Sequence, residues 1–188
     1  MRRELGVPDT ELSLVQPSRA GCERNEITSG LFSTGPPQSK QMSQNKIDAA
    51  ELNQKMTSDQ LAGHLGIVFT EITQGTLSKD TTVSAQITIS KIHSRPGGIM
   101  SGGTTLALIE TVASVASMLT VDIKKQNVFG IEVNANHLAQ VAMGETITAK
   151  ATADHIGRTT QIWQVRIQNS NEKLVCVGRI TIFVSDRN

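Results

Sequence analysis

Aromatic side chains make up only 3% of this 188-residue chain, and tyrosine is absent. Single-strand nucleic-acid binders stack bases on aromatic faces, so this scarcity argues against that class. A strong charge of either sign is also missing: 18 Lys and Arg face 17 Asp and Glu, a formal net charge of +1. Neither nucleic acid nor a membrane surface is therefore expected as the main partner. The two cysteines, Cys22 and Cys176, lie far apart and suit neither a disulfide framework nor a zinc site. No metal site is predicted. Cys176 sits in an alternating pattern and reads as a small core residue. The composition fits a reducing compartment, taken here as cytoplasmic.

Long apolar runs are lacking too. The first thirty residues contain no apolar segment of the kind a secretory signal needs. Glu4, Asp9, Glu11, Glu23 and Glu26 break the acid-poor rule of mitochondrial transit peptides. The most apolar stretch, residues 106–121, is interrupted by Glu110, Ser114 and Ser117. It is also shorter than the roughly 20 residues of a membrane span.

What is present begins with a shift in texture. Residues 1–45 hold Pro8, Pro17, Pro36 and Pro37 among Ser, Gly and Gln, without a sustained apolar period. They are expected to be a disordered extension, with Met42 a candidate start of translation. Residues 46–188 are expected to be one folded domain. Ile47, Leu52, Met56 and Leu61 recur at helical spacing. "HLGIVFTEI" (64–72) and "TTVSAQITI" (81–89) read as two strands. A Pro-Gly-Gly turn and a Ser-Gly-Gly opening then lead into a helix that runs to about Leu119. Four further strand patterns follow, at residues 128–138, 145–155, 158–169 and 173–184, with hairpin turns at "HIGR" and "NSNEK". Two strands, one apolar helix and four antiparallel strands make an α+β pattern. The sheet is expected to wrap around one central helix, leaving edges that pairing across a dimer axis would cover.

The helix tract "RPGGIMSGGTTLALIETVASVAS" (95–117) carries one charge after Arg95, namely Glu110. At 3.6 residues per turn, Gly103, Ala107, Glu110, Ser114, Ser117 and Val121 form one stripe, opposite Leu108, Val112, Val115 and Leu119. Two readings stay open. The stripe faces water and Glu110 is an ordinary solvated acid, or the small residues mark close approach by a backbone or ligand. The absence of Lys, Arg and Gln from the stripe favours the second. A carboxylate withdrawn from water and reached by the hydroxyl of Ser114 suits a general base or nucleophile. The opening Ser101-Gly102-Gly103 presents first-turn amides and the positive end of the helix dipole to developing negative charge. A plain turn is the bland alternative.

Gly102 and Glu110 lie eight residues apart, roughly 12 Å along a helix axis. Reacting atoms must approach within about 3–3.5 Å. If both groups act on one carbonyl, they should come from two copies of the chain.

At this point "SGG", Glu110, "GIEVNANHL" (130–138) and "GRTTQIWQVRI" (157–167) together resemble the hotdog-fold thioesterases of the 4-hydroxybenzoyl-CoA type. The nearest branch is that of the 1,4-dihydroxy-2-naphthoyl-CoA and enterobactin proofreading thioesterases. The resemblance covers residues 56–184. It implies a hotdog fold and metal-free hydrolysis of acyl-thioesters of coenzyme A or of carrier proteins, with no cofactor beyond coenzyme A as part of the substrate. It further implies dimers paired into tetramers, the acyl group being aryl or medium-chain. The family's acid maps onto Glu110, its supporting hydroxyl onto Ser114, and its carbonyl-polarising amide onto Gly102. The branch's tract reads Gln-Pro-x-Gly-x-x-His-Gly-Gly; here Arg95 replaces the glutamine and Ser101 the histidine. Arg95 brings a charge that could hold the substrate or pair with Glu110. Ser101 and Gly103 flank the polarising amide. His137 follows Asn136 as in the family's Asn-His pair near the acyl pocket, and Arg158 is placed like a hairpin arginine near the coenzyme A phosphates. A backbone-bonded histidine and a solvated hairpin charge are the respective alternatives. His64 and His93 receive no role. A hotdog acyl-CoA binding or assembly module that has lost catalysis, and a hotdog enoyl-CoA hydratase, are competing functions; the hydratase's paired Asp and His are missing from the tract.

Overall fold

The computed structural model describes residues 47–56 and 60–187. The expected extension at 1–45 and the candidate start at Met42 lie outside them. The chain runs α1 (Ala49–Lys55), α2 (Leu61–His64), β1 (Val68–Thr73), β2 (Thr82–Thr88), β3 (Ser94–Arg95), β4 (Ile99–Met100), α3 (Gly102–Met118), β5 (Gln126–His137), β6 (Thr146–Ile156), β7 (Thr160–Asn169) and β8 (Leu174–Asp186).

The helical pattern from Ile47 resolves into two short helices rather than one. The Asp48 side chain caps α1 by accepting from Glu51 N–H at 2.7 Å. Asn53 then holds Phe69 by both backbone groups, at 2.8 and 2.9 Å, which ties α1 to β1. The first strand begins at Val68, not at Leu65. Leu65, Gly66 and Ile67 donate back to Leu61, Gly63 and Ala62, and so close α2 instead.

Among the described residues six strands form one antiparallel sheet in the order β1-β2-β6-β7-β8-β5. The long helix α3 packs across β2, β5, β6, β7 and β8. Leu108, Ile109, Val112, Ala113 and Ala116 are fully buried there, against Ile147, Val165, Ile167, Ile180 and Ile182 in the same core. Each large aliphatic side chain so buried stabilises the fold by about 1.5–3 kcal/mol. Trp163, also fully buried, donates its indole N–H to Gln161 Oε1 at 3.0 Å, and Gln161 donates to Thr120 just past α3. That chain satisfies the polar atoms of two large buried side chains.

Cys176 is a free, buried thiol, as read from its strand pattern. Among the described residues no helix is long and apolar enough to cross a membrane. The sheet has two edges, β1 and β5, and β5 is the longer. Its side chains Phe129 and Ile131 are 53% and 62% exposed.

Candidate active site

Two turns deliver the start of α3. Gly97 and Gly98 take φ of +99° and +73°, a left-handed conformation that side chains disfavour, and they close the β3–β4 hairpin. Ser101 N–H and the Thr104 hydroxyl both donate to the carbonyl of His93, at 2.8 and 2.9 Å. His93 is itself fixed: its Nδ1 accepts from Ser90 N–H at 2.9 Å, and its Nε2 bonds the Leu65 carbonyl at 3.0 Å. A buried histidine without an assigned chemical role thus anchors the helix opening. Ser101 is the N-cap residue, yet its hydroxyl makes no capping bond. Thr104 N–H donates to the Ser101 carbonyl at 3.1 Å, whereas the amides of Gly102 and Gly103 have no carbonyl four residues back in the helix and stay available to a ligand.

Glu110 is half-buried, midway along α3. Ser114 Oγ donates to its Oε1 at 3.3 Å, the contact expected one turn on. The carboxylate lies against Gly130 of β5, so closely that a Cβ there would overlap both oxygens. Of the small stripe, Ser114 and Ala107 are half-buried, whereas Ser117 is fully buried. Ser117 therefore belongs to the core and not to an open face.

His137, at the other end of β5, stands over the start of α3. A Cβ on Gly102 would come within 3.2 and 3.3 Å of its imidazole Cε1 and Nε2. Nε2 lies 2.5 Å from Thr105 Oγ1, and that hydroxyl donates to the Gly102 carbonyl at 2.7 Å. A hydroxyl has one proton. Given to Gly102, it leaves Thr105 accepting from His137 Nε2–H.

Gly130 and His137 are seven residues apart, an odd number, and strict alternation would place them on opposite faces. A bulge corrects this. Gly130 pairs with Ile182 but Glu132 pairs with Thr181, which leaves Ile131 as the extra residue. Beyond it Val133, Ala135 and His137 register with the buried Ile180, Gly178 and Cys176. Both ends of β5 thereby present a residue to α3.

The other proposed residues are more dispersed. Gly103 is exposed at the helix start and Ser101 half-buried beside it. Arg95 is exposed on the β3–β4 hairpin. It forms no ion pair with Glu110; the pairs among the described residues are Lys55–Glu51 and Lys125–Asp122. Arg158 lines a surface groove of about 440 Å³ with Gln126, Thr159, Phe183 and Asp186. Among the described residues no group of three or more His, Cys, Asp or Glu could hold a metal. Sequence reasoning missed Gly130, Thr105 and His93. A glycine inside a strand pattern signals a bulge or a close approach, and that signal was present in "VFGIEV".

Known proteins resemble this chain in sequence and in fold. The family model described as "Thioesterase superfamily" matches residues 97–176. The 1,4-dihydroxy-2-naphthoyl-CoA hydrolase of Listeria monocytogenes is 37% identical over 123 residues, covering 65% of this chain and 94% of that protein. A proofreading thioesterase of Klebsiella pneumoniae is 30% identical over 135 residues, covering 72% of this chain and 92% of its own. A thioesterase structure from Haemophilus influenzae superposes with a TM-score of 0.67 at 33% identity, over 75% of this chain and 92% of that one.

Proposed function

The chain belongs to the thioesterase superfamily, and from that premise we propose that it hydrolyses aryl- or medium-chain acyl-CoA at an interface between two copies, with Glu110 as general base or nucleophile. One observation carries the proposal. Glu110, held by Ser114, lies at one end of an uncovered edge strand whose other end brings His137 to Gly102. Within one chain these two half-sites stay apart. When two β5 strands pair antiparallel about a two-fold axis, the Gly130 end of each meets the His137 end of its mate. The acid of one copy then faces the amides of the other, and the apolar edge is covered.

In this arrangement the thioester carbonyl oxygen accepts from Gly102 N–H, where the helix dipole favours developing negative charge. Ser101 and Gly103 flank that amide, and His137 closes one side of the carbonyl pocket. As general base, Glu110 takes a proton from a water that attacks the carbonyl carbon. The C–S bond breaks, and the departing thiolate receives the proton. As nucleophile, the carboxylate attacks directly, the C–S bond breaks as the thiolate leaves, and water opens the resulting mixed anhydride, the proton released going to the thiolate. Ser114 orients the carboxylate in either case. Arg158 and its groove take the phosphates of coenzyme A, and the charge of Arg95 holds the thioester or a substrate carboxylate.

The test is thiol release over a panel of acyl-CoAs by the native chain and by Glu110→Ala. Loss of at least about a thousandfold in kcat with the oligomer retained is expected. Full activity in the variant rejects the mechanism. Binding of CoA by thermal shift without thiol release in the native chain favours the non-catalytic binding module, whose basis is the Ser101 and Arg95 replacements. Single turnover in labelled water separates the two roles of Glu110, because only a nucleophilic carboxylate acquires the label.

A further inference from the structure

We infer that Gly130 is a positioning residue for Glu110: the missing side chain at this one place in β5 is what lets the acid lie in its working orientation. The inference rests on Glu110 being the acid of the proposed reaction.

Among the described residues the glycines of positive φ are Gly66, Gly97, Gly98 and Gly144, and Gly130 is not one of them. Its backbone conformation is therefore open to any residue, and what it supplies is clearance. A Cβ built on it would meet Oε1 first, then Oε2 at 2.8 Å and Cδ at 2.9 Å. All three nearest atoms belong to one carboxylate and none to backbone. The helix-facing neighbours Val128, Val133 and Ala135 all carry side chains, so the gap is local to Glu110.

Ser114 grips Oε1 on one side while the bare Gly130 backbone borders it on the other. Among the described residues no hydrogen bond is made to Oε2. The carboxylate is thus confined with one oxygen engaged and one left for a water or a carbonyl carbon. A methyl group at 130 would turn it out of that slot. The bulge at Ile131 belongs to the same device, since it keeps Gly130 facing α3 while sending His137 to the same face.

Gly130→Ala, Glu110→Asp and the double variant test this. In the native background, Gly130→Ala should lower kcat by about tenfold or more and change KM by less than about twofold. Aspartate is one methylene shorter and withdraws from the strand. In the Glu110→Asp background the same alanine should therefore change kcat by less than about twofold. A second readout needs no activity: Gly130→Ala should lower Tm less in Glu110→Ala than in the native chain. Failure of Gly130→Ala to fold, with the double variant folded, also supports the steric clash.

Unchanged kcat in Gly130→Ala overturns the inference, as do equal losses in both backgrounds. So does a double variant that also fails to fold, because the methyl group would then be rejected by backbone. If Glu110→Ala keeps full activity, the functional reading itself has failed, a result distinct from all of these.

Discussion

His137 Nε2 lies 2.5 Å from the hydroxyl of Thr105, and this contact joins the end of β5 to the first turn of α3. It fixes the imidazole over Gly102, as one wall of the proposed carbonyl pocket. Thr105 is fully buried and also bonds the Gly102 carbonyl, so one hydroxyl sets two groups of the proposed site.

Thr105→Val keeps the volume and removes the hydroxyl. It should cost about 0.5–1.5 kcal/mol of stability, because the half-buried Gly102 carbonyl loses its donor. It should also lower kcat/KM by about tenfold, through a freed imidazole. Chemical denaturation together with thiol-release kinetics checks both. Unchanged kinetics would make the contact structural only.

Gly102→Pro removes the N–H proposed to polarise the carbonyl, at the first helical position, where proline is at home. Ser101 before it is extended, at φ −75° and ψ 141°, as proline requires of its predecessor. The variant should keep its helical circular dichroism, push His137 aside by a few tenths of an ångström where the new ring meets it, and lose hydrolysis. Mixed with inactive Glu110→Ala and allowed to exchange subunits, it should recover about a quarter of native activity, since half the dimers would hold one intact shared site. No recovery, with mixed dimers demonstrated, would place acid and amide in one chain.

Burial pushes the Cys176 thiol up from its ordinary value of 9.0, while a backbone hydrogen bond from Asn136 acts in the opposite direction. With its folded value raised, the native state holds its proton more tightly than the unfolded chain. The stability contribution is complete below the ordinary thiol value and is lost as pH rises through the folded one. In a Cys22→Ser background, unfolding free energy should fall between pH 8 and pH 10.5 by more than in Cys22→Ser/Cys176→Ala. Equal falls would remove the thiol as the cause.

The helix and the acid were legible in the sequence because their signals are local. The apolar period around Leu108, Val112 and Val115 predicts the buried face of α3. Glu110 stands out as the one charge within it, and Ser114 follows at the spacing that brings one turn onto the next. The strand patterns from Val128 onward supply four of the sheet's six strands, and β1 and β2 supply the other two. Their order in space, with β5 at the edge beside β8, comes from the pairing itself.

By itself the sequence determined the element types, the lone acid of α3 and its hydroxyl support, since periodicity and spacing along one chain encode these. Only the tertiary structure decided which backbone borders that acid and which way His137 points. Alternation alone would set Gly130 and His137 on opposite faces, and one unpaired residue in β5 reverses that outcome. Register depends on the partner strand, and a single strand's residues do not carry that information.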